Sequence, residues 1–207
     1  MAADLIAARL ANSGVQPIFA EPQFDRYDAG EHKGRRTALE AAQRYASTFG
    51  DRLLEGRSMA FLGGSGCGKS MLASSIVQTI NASGRHTAAY ATVAMVLREI
   101  RATFERGAPL SEGDVLYRYS QPDLLVLDEV GRHSVKPADL QRLFEIVDFR
   151  AGRRLPMIVC SNLDEAQVET LIGPAVWERL MGRNGFILKF DWSSYRRAVA
   201  RGSTGNV

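Results

Sequence analysis

The chain has 207 residues, 45% apolar and 24% charged, a balance that suits one domain with a sizeable hydrophobic core and excludes fibrous or disordered classes. No run approaches the length of a membrane span, and the opening Met-Ala-Ala-Asp-Leu lacks the basic start and apolar centre of a secretory signal, so a cytoplasmic protein is expected. Cys67 and Cys160 stand in no metal-ligand spacing, which argues against a disulfide framework or a zinc site, and the net charge of +3 points only weakly to nucleic acid. The basic clusters "HKGRR" (32–36), "RAGRR" (150–154) and "RRAVAR" (196–201) suit either a phosphate backbone or solvated loop and helix ends.

Residues 5–11 are rich in Ala and Leu and stop at Asn12-Ser13-Gly14. The Pro- and Gly-punctuated "VQPIFAEPQFDRYDAG" then reads as an extended connector, making residues 1–36 an arm and linker. Thr37 and Glu40 stand in capping-box spacing, and Leu39, Ala42, Tyr45, Ala46 and Phe49 recur at helical intervals, which predicts an amphipathic helix over 38–54. Strand-like and helix-like segments alternate from there. They are "SMAFLGG", a helix from Lys69 to Ala82, "HTAAYAT", a helix over 94–105, the loop "FERGAPLSEGD" (104–114), "DLLVLDEV", a helix over 138–151, "PMIVCSN", two short helices and "FILKFDW". The strand candidates are short continuous apolar runs, as in strands buried on both faces, so a doubly wound α/β fold with a parallel sheet is expected over residues 37–200. The closing residues 201–207 read as a frayed tail.

In "FLGGSGCGKS" the pattern G-x-x-x-x-G-K-[ST] is matched by Gly63, Gly68, Lys69 and Ser70. Glycines let bare backbone N–H groups wrap a phosphate, Lys69 brings charge to the β- and γ-oxygens, and the Ser70 hydroxyl is a ligand for Mg²⁺. The nucleotide cradle is therefore assigned to Gly63, Gly64, Ser65, Gly66, Cys67, Gly68, Lys69, Ser70 and Met71. The motif follows an apolar strand and opens a helix, the context that separates it from a chance glycine turn. "DLLVLDEV" ends in Asp128 and Glu129, and in a parallel sheet that end lies at the ligand edge. Asp128 would hold the Mg²⁺ shell and Glu129 would orient and deprotonate the attacking water. Asn162, after "PMIVCS", reaches the same edge, where it could hold the water or a γ-oxygen, or act as an ordinary turn former or helix cap.

Taken in order, "GGSGCGKS", "LLVLDEVG", "IVCSNLDEAQV", "WERL" and "FDWSSYRRAV" resemble the DnaC/IstB-like ATPases of the AAA+ superfamily, over about residues 15–200. The resemblance implies a five-stranded parallel sheet with a small or absent C-terminal lid, ATP and Mg²⁺ as cofactors, and self-assembly into a ring or helical oligomer. It makes Asn162 the sensor residue and Arg179 an arginine finger for a neighbouring subunit, where the residues alone allow a salt bridge to Glu178 or Glu169. It implies a replicative helicase or a transposase as partner, and single-stranded DNA bound through Phe104, Arg101 and Arg106 and through Arg132, His133 and Lys136. Phe104 could equally be core and the cations solvated. Two departures stand out: the arm is shorter than the helicase-gripping module of the loaders, and Ala175 occupies the position of their second arginine, four residues before the finger. The favoured expectation is a DnaC-like helicase loader. A transposase-regulating ATPase and a nucleotide-gated DNA or partner clamp with incidental hydrolysis are the rivals.

Overall fold

A computed structural model describes residues 2–132, 136–182 and 184–195. His133 and the expected tail, within 196–207, lie outside the described residues. Five strands, β1 (Met59–Gly63), β2 (Ala88–Thr92), β3 (Leu124–Val130), β4 (Met157–Ser161) and β5 (Phe186–Phe190), form one parallel sheet in the order β2-β3-β4-β1-β5. The three central strands are buried along nearly their whole length, which is why they read as unbroken apolar runs rather than as alternation.

Helices cover both faces. On one face α2 (Lys33–Ser47) and α4 (Lys69–Ala82) bury Ala38, Ala42, Tyr45, Leu72, Ile76 and Ile80 against Phe61, Val126 and Ile158. On the other, α5 (Val93–Ala102), α6 (Glu112–Ser120), α7 (Pro137–Gly152) and α9 (Pro174–Met181) pack Val96, Ile100, Val115, Ile146 and Leu180 on Leu125, Leu127 and Val159. A smaller cluster joins Trp177 of α9 and Val168 of α8 (Glu165–Ile172) to Ala60 and Leu62. Among the described residues no helix is long and apolar enough to cross a membrane.

Three expectations need correction. The helix expected over 38–54 is two: α2 begins at Lys33, capped by His32 rather than Thr37, and ends at Ser47 with Thr48 as its C-cap, after which α3 runs from Phe49 to Glu55. The Thr48 hydroxyl bonds back to Arg44 O at 2.7 Å, satisfying a last-turn carbonyl and favouring the break. The loop expected through residue 114 ends at Ser111, which forms a reciprocal capping box with Asp114 and opens α6. The opening segment is not simply extended: α1 (Ala2–Ala11) packs on α4, and single 3₁₀ turns occupy Pro17–Phe19 and Phe24–Arg26. Buried contacts pin this segment down, since Gln23 N donates to Ser75 Oγ at 2.8 Å and Gln78 Nε2 donates to Ala20 O at 2.7 Å. Ser13 O accepts from Tyr90 N at 2.7 Å, laying the chain along the outer side of β2.

Candidate nucleotide-binding site

The sheet's carboxyl edge gathers the site. β1 ends at Gly63, and the loop to α4 uses left-handed backbone at Gly66 (φ 78°) and Gly68 (φ 96°), the latter capping α4. A Cβ on Gly68 would lie 2.5 Å from the Tyr27 ring, so glycine is needed there for space as well as for backbone freedom. The loop lines a cavity of about 330 Å³ together with Met71, Asp128, Glu129 and Asn162.

Lys69 is buried, and its ammonium donates to Gly63 O and Gly64 O at 2.6 Å and to Asn162 Oδ1 at 2.9 Å. All three partners are neutral. Burial lowers the Lys69 pKa, because the charged form loses water without gaining a bonded anion. Asn162 does not cap the next helix: Asp164 does, in a capping box with Gln167. The alternative of a routine cap is thereby removed, and the Asn162 side chain turns to Lys69.

The acidic pair is aimed by an irregularity. Leu127 pairs with Val159 but Val130 pairs with Ser161, so β3 carries one extra residue, and Glu129 takes φ 60°, a conformation uncommon outside glycine. Asp128 is buried, and its Oδ2 accepts from Ser70 Oγ at 2.6 Å and from the Tyr90 hydroxyl, while Oδ1 accepts from Glu129 N at 2.6 Å. Burial, and then the Asp128 charge, push the Tyr90 phenol upward, so the tyrosine stays a donor. Glu129 pairs with Arg132.

These residues fit a magnesium triphosphate. The Ser70 hydroxyl and Asp128 carboxylate converge as the hard oxygen donors that Mg²⁺ takes, and the buried Lys69 cation, bonded only to neutral oxygens, suits an anion.

Several lining residues escaped the sequence reading. Ile18, Phe19, Arg26, Tyr27 and Arg35 from the opening segment and Trp192 and Tyr195 from the closing one border the same cavity. "FDRY" and "W-x-SY" were legible as motifs, but nothing local assigns them to this edge.

Arg179 stands elsewhere. It lies on α9, which leads to the amino end of β5, and it borders a 220 Å³ hollow with Ser58, Arg154, Asn184 and Gly185 at the amino ends of the strands, opposite the loop. Its ion-pair partner is Asp148 of α7, not Glu178 or Glu169. Phe104 is 58% exposed with the Arg142 guanidinium 5.2 Å from its ring centre, so it is not core. Arg101 bonds Asp139 at 2.6 Å, and Lys136 is exposed at the start of α7.

A parallel five-stranded sheet in this order, with a lysine-bearing glycine loop after β1 and an acidic pair near the end of β3, defines a P-loop nucleotide-binding fold of the AAA+ type. Residues 48–198 match the model of the IstB-like ATP binding proteins, and the chain belongs to that family. The replicative helicase loader DnaC of Buchnera aphidicola (subsp. Acyrthosiphon pisum) is 32% identical over 92% of this chain and 75% of its own length, and DnaC of Escherichia coli K12 is 30% identical over 90% and 74%. The crystal structure of a DnaC helicase loader superposes with a TM-score of 0.69 at 17% identity, covering 81% of this chain and 96% of that one, a likeness of fold.

Proposed function

We propose that the chain is an ATP-hydrolysing loader of a replicative helicase that works as an assembly, each copy lending Arg179 to the ATP site of its neighbour. The observation that carries this reading is the position of Arg179 at the foot of the sheet, across the strands' whole length from its own loop. From there it serves a site only when another copy stacks its glycine loop against that foot, a head-to-tail contact that builds rings or helices.

In that arrangement Lys69 supplies charge to the phosphate oxygens, and Ser70 and Asp128 would hold Mg²⁺, which would neutralise charge on the triphosphate. Asn162 holds Lys69 in register, and Glu129, released from Arg132, accepts the proton of the attacking water. Phe104, Arg101, Arg106 and Lys136 form the single-stranded DNA face: an exposed ring stacks on bases while cations follow the backbone. The names of the DnaC relatives favour the helicase as partner, and the description of the matched family model supports the transposase-associated ATPase as the second reading.

Mixing Arg179→Ala chains, which keep the loop, with Glu129→Gln chains, which keep the finger, tests the shared site. Each alone should hydrolyse ATP poorly, and an equal mixture should regain about a quarter of the wild-type rate, the share of contacts pairing a sound loop with a sound finger. A mixture no more active than its components refutes it. Affinity capture of the full chain from its own cells, scored for a replicative helicase against a transposase, separates the two readings.

A further inference from the structure

The closing segment does more than border the cavity. Trp192 Nε1 donates to Cys67 O at 3.0 Å, and the Cys67 thiol donates back to Trp192 O at 3.0 Å, closing a reciprocal pair between positions 125 residues apart. One step away, Tyr195 N donates to Gly66 O at 3.0 Å. The strap is fixed from its other side as well. The Trp192 ring lies 4.9 Å from Phe190 and 5.4 Å from His32, and Arg35 Nη2 donates to Ser193 O at 3.5 Å. Trp192 is buried.

Among the described residues no peptide bond is cis, and in a trans peptide the N–H points opposite to the C=O of the same plane. The carbonyls of Gly66 and Cys67 are both held by the strap, so the N–H groups of Cys67 and Gly68, which share those planes, are directed away from it. A phosphate loop binds through such N–H groups, and a glycine-rich loop in water would spend much of its time with them turned otherwise. We propose that Trp192 and Cys67 form a clasp that holds the phosphate loop in its binding conformation, making Trp192 a positioning residue for the nucleotide from outside the phosphate-loop motif. The proposal rests on the loop being the ATP site.

The clasp acts equally on ground and transition states, so its loss raises KM and leaves kcat nearly constant. Trp192→Phe keeps a ring against Phe190 and removes the indole N–H. One hydrogen bond of ordinary net strength corresponds to a roughly three- to tenfold loss of affinity for ATP·Mg²⁺. Trp177→Phe, on α9, changes a buried indole that packs on Ala60 and Leu62 and does not line the cavity, and it should leave that affinity as it was. Binding is measured with a fluorescent ATP analogue on wild type, Trp192→Phe and Cys67→Ala: each substitution removes one donor and leaves its backbone acceptor in place, so each should weaken binding, Trp192→Phe by the larger factor because a thiol is the weaker donor. The nucleotide-dependent change in intrinsic tryptophan emission should vanish in Trp192→Phe and persist in Trp177→Phe. Wild-type affinity in Trp192→Phe overturns the clasp. Absence of ATP binding by the wild-type chain itself is a different result, and it overturns the site on which the clasp acts.

Discussion

Replacing Tyr90 by phenylalanine isolates one hydroxyl at the centre of the acidic strand end. Tyr90 is buried, and its hydroxyl donates to Asp128 Oδ2 beside the Ser70 hydroxyl. Phenylalanine fills nearly the same volume, so little cavity term enters. A hydrogen bond to a charged acceptor contributes about 1.5–3 kcal/mol, against about 1 kcal/mol for a neutral one. The chain holds its own reference: Tyr45, also buried, donates to the neutral Arg57 O at 2.7 Å. Tyr90→Phe should therefore lower the nucleotide-free Tm by about 3–12 °C and Tyr45→Phe by about 2–4 °C, using the scaling for chains of this size. Thermal unfolding followed by circular dichroism at neutral pH reads both. Equal losses, or a Tyr90→Phe chain melting within a degree of wild type, would refute the reading that the Tyr90 hydroxyl donates to the Asp128 carboxylate.

Lys69 sets a pH dependence with two opposite signs. Its lowered pKa means that it releases its proton sooner than an exposed lysine, so ATP affinity should begin to decline at a pH below the ordinary lysine range, while Lys69→Arg stays flat there. The fold meanwhile favours the uncharged form, and the unfolded chain binds more protons there, so this group's contribution to nucleotide-free stability should rise with pH. Calorimetric titrations and melts at matched pH check both. Gly68→Ala forces a Cβ into the Tyr27 ring at φ 96°, which should cost about 1–2 kcal/mol of stability and abolish ATP binding in an equilibrium assay. For single-stranded DNA, Phe104→Ala should weaken binding by about 1–3 kcal/mol, and Lys136→Ala should flatten the log-log salt dependence by about 0.7, both measured by fluorescence anisotropy.

What could be read from the residues was what they encode locally. The helix Lys69–Ala82 matches its expected span because a glycine loop and a buried apolar run mark its start, and the five strands were visible as apolar runs bounded by turn residues. Local signals also misled. Thr37 and Glu40 have capping spacing yet lie inside α2, since His32 caps it five residues before the expected cap, and "SEGD" reads as a turn although Ser111 and Asp114 use it to start α6. The missed parts of the site come from long range: Tyr90 meets Asp128 across two strands, and Trp192 meets Cys67 only once β5 lies beside β1. The Arg179–Asp148 pair joins α9 to α7, a contact that no sequence spacing reveals.

The strand of chain at Ser13 and Gly14 has a consequence for how the molecule behaves in concentrated solution. A Cβ on Gly14 would sit 2.0 Å from Tyr90 O, so the backbone there presses against β2 as a seal over a border that other molecules could otherwise zip onto. A version of the chain shortened past residue 14 would keep the triphosphate cradle intact and yet bare the apolar "AAYAT", making precipitation rather than loss of nucleotide the first sign of damage.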